Sequence, residues 1–307
     1  MNKFIRNFIT LGTTLVIFSG CSLFGINPEK DGDKIVKEGL SNFYDVRVSS
    51  FSGSLKSGVV DNTTGDLNFD LSFSGSSDFQ DPKNLLLNLK LDGTGFMGEN
   101  SENLSGEVKI NKSDLYFLVS KISSFGGMIT EDVTKPLLGQ WWRTQLPQDI
   151  VDSLQKSSIF GDDSKLTPEE IKLKKLLKNT QFFSGAKYMR EISGEYLYET
   201  ALDNEAVKTF VDESRKIYGE ESTVEQMNIL DANLKNSELK ATFWVGVEDK
   251  TVHKAEININ ANDTISGMKL DVAFKASISD INVPVTVEAP EGVKEFDPMA
   301  LFSGVAQ

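Results

Sequence analysis

Two side chains in this 307-residue chain are the sole members of their type, and both can do chemistry: Cys21 and His253. A thiolate is a nucleophile that can be alkylated, oxidised or bound to a metal. An imidazole can shuttle protons or ligate metals. A single histidine excludes a multi-histidine metal site and leaves one candidate base for a Ser-His-Asp arrangement. That histidine falls inside TVHKAEININ (251–260), where an exposed strand position is expected. There is no G-x-S-x-G, Walker loop, H-E-x-x-H or C-x-x-C motif. The glycines of DGTGFMG (92–98) end a strand with no helix behind them. GDDSKLTPEE (161–170) lacks the alternating ligands and closing glutamate of a calcium loop. With 45 acidic residues, close acid pairs carry no information about hydrolysis. The expectation is a non-catalytic chain with no metal and no cofactor.

Cys21 has an informative setting. The chain opens MNKFIRNFITLGTTLVIFSGC, with Lys3 and Arg6 ahead of a mostly apolar run over 7–18. A spanning helix needs about 20 apolar residues; this run has the length of a signal-peptide core. Ser19 and Gly20 then place small residues before the cysteine. The segment resembles the bacterial lipobox, although Phe18 is bulkier than the Leu, Val or Ala usual at its position. The resemblance implies cleavage between Gly20 and Cys21 and a thioether-linked diacylglycerol on Cys21. An exported chain with one thiol has no disulfide partner for it, and lipid attachment accounts for the orphan. Residues 1–20 then read as a lipoprotein signal peptide and 21–32 as a tether. The body is expected outside the cytoplasm, on a cell membrane, held by its acyl chains.

Removing Lys3 and Arg6 with residues 1–20 takes the formal charge from −13 to −15. Such a surface repels nucleic acid and anionic headgroups, so neither nucleic-acid binding nor docking through a basic patch is expected. Without disulfides the fold must rest on its own core.

Ile35, Val36, Leu40, Phe43 and Tyr44 lie on one helical face. The period then changes to two. Leu67, Phe69, Leu71 and Phe73 alternate with polar residues, as do Leu85, Leu87, Leu89 and Leu91. LSGEVKI (104–110) and LYFLV (115–119) follow, with polar turn clusters between the runs, as in an antiparallel meander. GQWWRTQL (139–146) is a further strand whose Trp141 and Trp142 face opposite ways. LTPEEI predicts a helix start, with Thr167 as N-cap, Pro168 at the first position and Glu170 closing a capping box. Helical segments are expected near 148–180 and 204–234, and strands at 186–201, 238–248, 251–260, 266–279 and 283–290. The fold class is α+β, residues 33–307 forming a single domain. In it the strands form one large curved antiparallel sheet whose apolar face needs a cover, which the amphipathic helices offer.

The SSFGGMI loop (123–129) lies near the tryptophan strand in sequence. Phe125, Met128, Ile129, Trp141 and Trp142 are candidates for the lining or mouth of an apolar cavity, with core packing as the alternative.

ATFWVGVEDKTVHKAEIN resembles a hairpin of the LolA-like and LppX/LprG-like lipoproteins, and VPVTVEAP resembles their last strand. The pattern extends over most of 33–295. Two departures are the missing proline in Val252-His253-Lys254-Ala255 and the extra helical segment at 148–180. The resemblance implies a half-barrel that holds acyl chains between sheet and helices, and hence carriage or sensing of a lipid or other hydrophobic ligand. The alternative is an envelope interaction module of the same fold with a filled core and a protein partner.

Overall fold

The computed structural model describes residues 27–60, 66–81, 84–97, 100–123, 134–146, 166–262 and 269–297. Cys21, Gly20, Phe125, Met128, Ile129 and the first half of the 148–180 segment lie outside them. The chain divides into two compact units, Met1–Val46 with Ile159–Asn262 and Arg47–Ser158 with Asp263–Gln307. The fold is α+β. Within each unit the paired strands run antiparallel except the last and shortest with its neighbour, and among the described residues the strands at the two ends of the order pair on one side only.

The first unit holds the described α-helices: α1 (Gly32–Asp45), α2 (Pro168–Asn179), α3 (Asn204–Ile217) and α4 (Val224–Lys235). Its strands β7 (Phe183–Ile192), β8 (Glu195–Leu202), β9 (Ser237–Gly246) and β10 (Val252–Asn262) pair in sequence order. The stripe read on α1 is its packed face. Ile35, Val36, Leu40 and Tyr44 are each at most 4% exposed, against β7, β9 and β10. From the sheet side Tyr198, Phe243 and Val245 are fully buried, and Phe183 meets Phe243 edge to face at 5.0 Å. Thr167 and Glu170 form the expected capping box of α2, and Thr223 and Gln226 form another on α4. Lys208 on α3 reaches Asp231 on α4 at 2.8 Å.

The second unit is nearly all sheet. Its strands are β1 (Val48–Val60), β2 (Leu67–Asp78), β3 (Leu86–Met97), β4 (Asn100–Asn111), β5 (Asp114–Ile122), β6 (Trp141–Gln145), β11 (Lys269–Ser279) and β12 (Lys294–Glu295). They lie in the order β12-β6-β5-β4-β3-β2-β1-β11. Only β12 runs parallel to its neighbour.

Two sequence expectations need correction. Residues 283–290 form no strand: Pro284 and Pro290 lack donors, and the segment crosses the strand ends. The Asn282 amide donates to the Val48 carbonyl, the Asn111 side-chain amide to the Val287 carbonyl, and Gln140 to Gly292. Residues 48–60, unassigned from sequence, are a thirteen-residue strand. Serines and glycines dilute its alternation, and two glycines are sterically required. The Phe73 ring lies over Gly53, and the Phe51 ring over Gly75, so each aromatic covers a gap in the next strand. A Cβ at Gly75 would overlap the Asn88 carbonyl oxygen. Gly75→Ala is therefore expected to cost about 1–3 kcal/mol, read as a lower denaturation midpoint.

Candidate functional site

Register decides which side chains of the second unit share a face, because directly opposed residues point the same way. One row runs Ile278, Phe51, Gly75, Leu89, Val108, Phe117, Trp142 across β11, β1, β2, β3, β4, β5 and β6. The next runs Ala276, Gly53, Phe73, Leu91, Gly106, Val119, and the next Phe274, Leu55, Leu71, Gly93, Leu104, Ile122. Seven strands thus present one apolar face. Phe73 stacks on Phe274 and tilts against Phe51, both at 6.4 Å.

The opposite face is polar. Ser50, Ser52 and Ser54 stand opposite Ser76, Ser74 and Ser72, and Ser52 exchanges a 2.9 Å hydrogen bond with Ser277. Lys56 pairs with Asp70 at 2.6 Å and Lys90 with Glu107 at 3.4 Å. At the β6 end, Arg143 donates to Asp114 and to Glu295, joining β5, β6 and β12. Beside them burial raises the pKa of Tyr116, and Asp114 adds to the effect.

The apolar face is only partly covered. The buried apolar residues of this unit, among those described, are Val48, Leu85, Ile110, Tyr116, Leu270 and Val287. Phe51, Phe73, Leu71, Leu89, Leu91 and Phe274 remain half-buried, and Leu67 is 44% exposed. The core of the first unit is better covered: its described Tyr198, Phe243, Val245 and Val207 are fully buried. Its cleft between α1 and residues 180–183 encloses about 10 Å³, room for one water molecule.

The two tryptophans do face opposite ways. Trp142 joins the apolar face and, with Phe117, packs edge to face on Phe296 at 6.0 and 5.0 Å. Trp141 lies on the polar face under the Lys109 ammonium, 5.1 Å from the ring centroid. The structure therefore separates these two candidates. The residues of the face that sequence reading passed over are Phe51 and Leu55; their signal is an apolar residue at every fourth position, with glycine or serine between.

His253 is not the exposed strand residue expected. It is the extra residue of a bulge between Val252 and Lys254. Its Nδ1 lies 2.8 Å from Glu195 on β8 and its Nε2 2.7 Å from Asp249 in the turn. The ring spans Gly246, where a Cβ would overlap Asp249 and stand 2.8 Å from the imidazole. Both nitrogens are thus engaged by carboxylates, an arrangement suited to holding a hairpin together. Burial opposes the charge on the ring, but the hydrogen bonds and charges of Asp249 and Glu195 outweigh it, so the pKa is raised above 6.5. A raised pKa stabilises the fold fully below the unfolded value and progressively less as pH rises through the folded one. The denaturation midpoint is expected to fall from about pH 6 upward, by no more than about 1 kcal/mol for a half-buried cluster open to solvent on one side. His253→Gln should flatten that dependence.

Among the described residues, no cluster of His, Cys, Asp and Glu could hold a metal, and no helix is long and apolar enough to cross a membrane.

No protein-family model and no curated protein matches the chain. Among solved structures it is similar to LprF from Mycobacterium bovis, at 11% identity over 85% of this chain and 97% of that one, with a TM-score of 0.32. It is also similar to the LolA superfamily protein NE2245 from Nitrosomonas europaea, at 11% identity over 83% and 94%, with a TM-score of 0.17. A beta-barrel-like protein of the domain of unknown function DUF1849 from Brucella abortus matches at 9% identity over 76% and 100%, with a TM-score of 0.26.

Proposed function

We propose that this chain is an extracytoplasmic lipoprotein, anchored to a membrane through acylated Cys21, that binds a lipid or another hydrophobic molecule without catalysing a reaction on it. The observation that supports this reading is the seven-strand apolar face of the second unit, left half-buried although its residues are Phe, Leu, Val and Ile. Apolar surface of that extent favours an occupant. Each methylene moved from water onto such a face contributes about 0.8 kcal/mol, so ten in contact supply ~8 kcal/mol, the scale of a micromolar complex. The polar Ser/Asn/Lys face of the same sheet provides its contact with water.

The test is native mass spectrometry of the chain beginning at Ser22, purified without detergent from a bacterial envelope fraction, together with solvent extraction. The reading expects a stoichiometric adduct that extraction removes and identifies as an apolar molecule. A single bare mass, with no extractable lipid, contradicts it.

A further inference from the structure

The anchor and the body are joined by a short segment, and where that segment meets the body decides which surface faces the bilayer. Six residue steps separate Cys21 from Asn27, and a fully extended chain spans at most about 3.6 Å per residue, or about 22 Å. The far end is fastened. The Asn27 amide donates to Asp31, and the Pro28 carbonyl accepts a 3.1 Å hydrogen bond from Tyr198. Resting on the acylation of Cys21 proposed above, the bilayer surface must pass close to this point.

A cluster of tyrosines lies there. Tyr198 is fully buried and forms a cluster with Tyr188 at 5.8 Å and Tyr196 at 6.4 Å, both of which stay partly exposed. Lys250 stands over the Tyr196 ring at 5.7 Å. The cluster borders β7, which among the described residues pairs on one side only, with β8. The ladder slips between Tyr188 and Arg190, so Met189 bulges from the edge, 41% exposed, and Ile192 at the strand end is 36% exposed. Tyrosine suits a boundary that is apolar on one side and wet on the other. Exposed Lys187 and Arg190 sit on the same strand, with Glu29 and Glu191 near Tyr188. The charge here is mixed, which fits contact with zwitterionic headgroups rather than a basic patch on anionic ones.

We propose that the β7 edge, through Tyr188, Met189, Ile192 and Tyr196, rests on the bilayer that holds the acyl chains of Cys21. The occupant is a lipid surface, met side-on at headgroup depth. The body is then oriented at the membrane as well as attached to it.

Acylation blocks the Cys21 sulfur, so an introduced cysteine is the only free thiol. Met189→Cys in the full acylated chain, carrying an environment-sensitive fluorophore, is reconstituted into phosphatidylcholine vesicles. The same substitution in the chain beginning at Ser22 gives the reference in water. Lys240→Cys on β9, two strands in from β7 and three to four residue positions further along the ladder, is the control. The expected result is a blue shift and loss of iodide quenching at position 189 in vesicles only, with position 240 unchanged in both. Equal quenching at 189 in both forms overturns the orientation while leaving the anchor intact. Shielding at 189 in water as well points to a protein contact and also overturns it. A full chain that does not float with vesicles overturns both this inference and the anchoring on which it rests.

Discussion

Replacing Phe243 by alanine should be the most damaging single substitution in the first unit, costing about 3–5 kcal/mol. Phe243 is fully buried on β9, edge-on to Phe183 and opposite Tyr198 on β8 and Ala255 on β10. Alanine would leave a cavity beneath α1 that neither helix nor sheet can close without moving. Against a typical total stability of about 5–15 kcal/mol, that loss threatens the unit. Urea denaturation followed by circular dichroism is expected to show a first transition at markedly lower urea. Tyr198→Phe, which removes only the hydrogen bond to Pro28, should cost about 1 kcal/mol. A Phe243→Ala protein as stable as the wild type would mean that this packing does not support the unit.

The second large effect concerns binding. Leu89 stands in the first of the three rows of the apolar face, between Gly75 and Val108, and is half-buried. Leu89→Asp places a carboxylate where an apolar ligand must lie. Desolvating an unpaired charge costs at least several kcal/mol, so affinity for an apolar probe should fall by at least about a hundredfold, or ~2.7 kcal/mol. Ser74→Asp supplies the control: the same charge on β2, on the polar face and exposed. It should bind the probe as the wild type does. Equal affinity in all three proteins would remove the face from the account.

How much of this was legible in the sequence depended on whether a pattern was local. The α1 stripe, the alternation of β2 and β3 and the Thr167–Glu170 capping box are set by neighbours within a few residues, and all formed as read. β1 escaped because Gly53 and Gly75 are answered by rings on other strands, Phe73 and Phe51, a complementarity visible only once register is known. Period-two alternation showed that Trp141 and Trp142 diverge, but not which of them joins the apolar face; pairing with Leu118 and Phe117 decides that. His253 read as a strand residue because a bulge has no signature in a single sequence, and its carboxylate partner Glu195 is 58 residues away. The alternating leucines announced a face that needs a cover. Whether side chains would fill that space depends on long-range packing that composition does not encode.

The central claim is that the apolar face of the second unit, rather than the interior of the first, holds the ligand. A spin-labelled fatty acid, added to the methyl-labelled chain beginning at Ser22, tests it directly by nuclear magnetic resonance. The account predicts paramagnetic broadening of the methyls of Leu71, Leu89 and Leu91, with those of Leu197, Leu234 and Leu239 in the first unit spared. Broadening confined to the first unit, or none at saturating fatty acid, would contradict it.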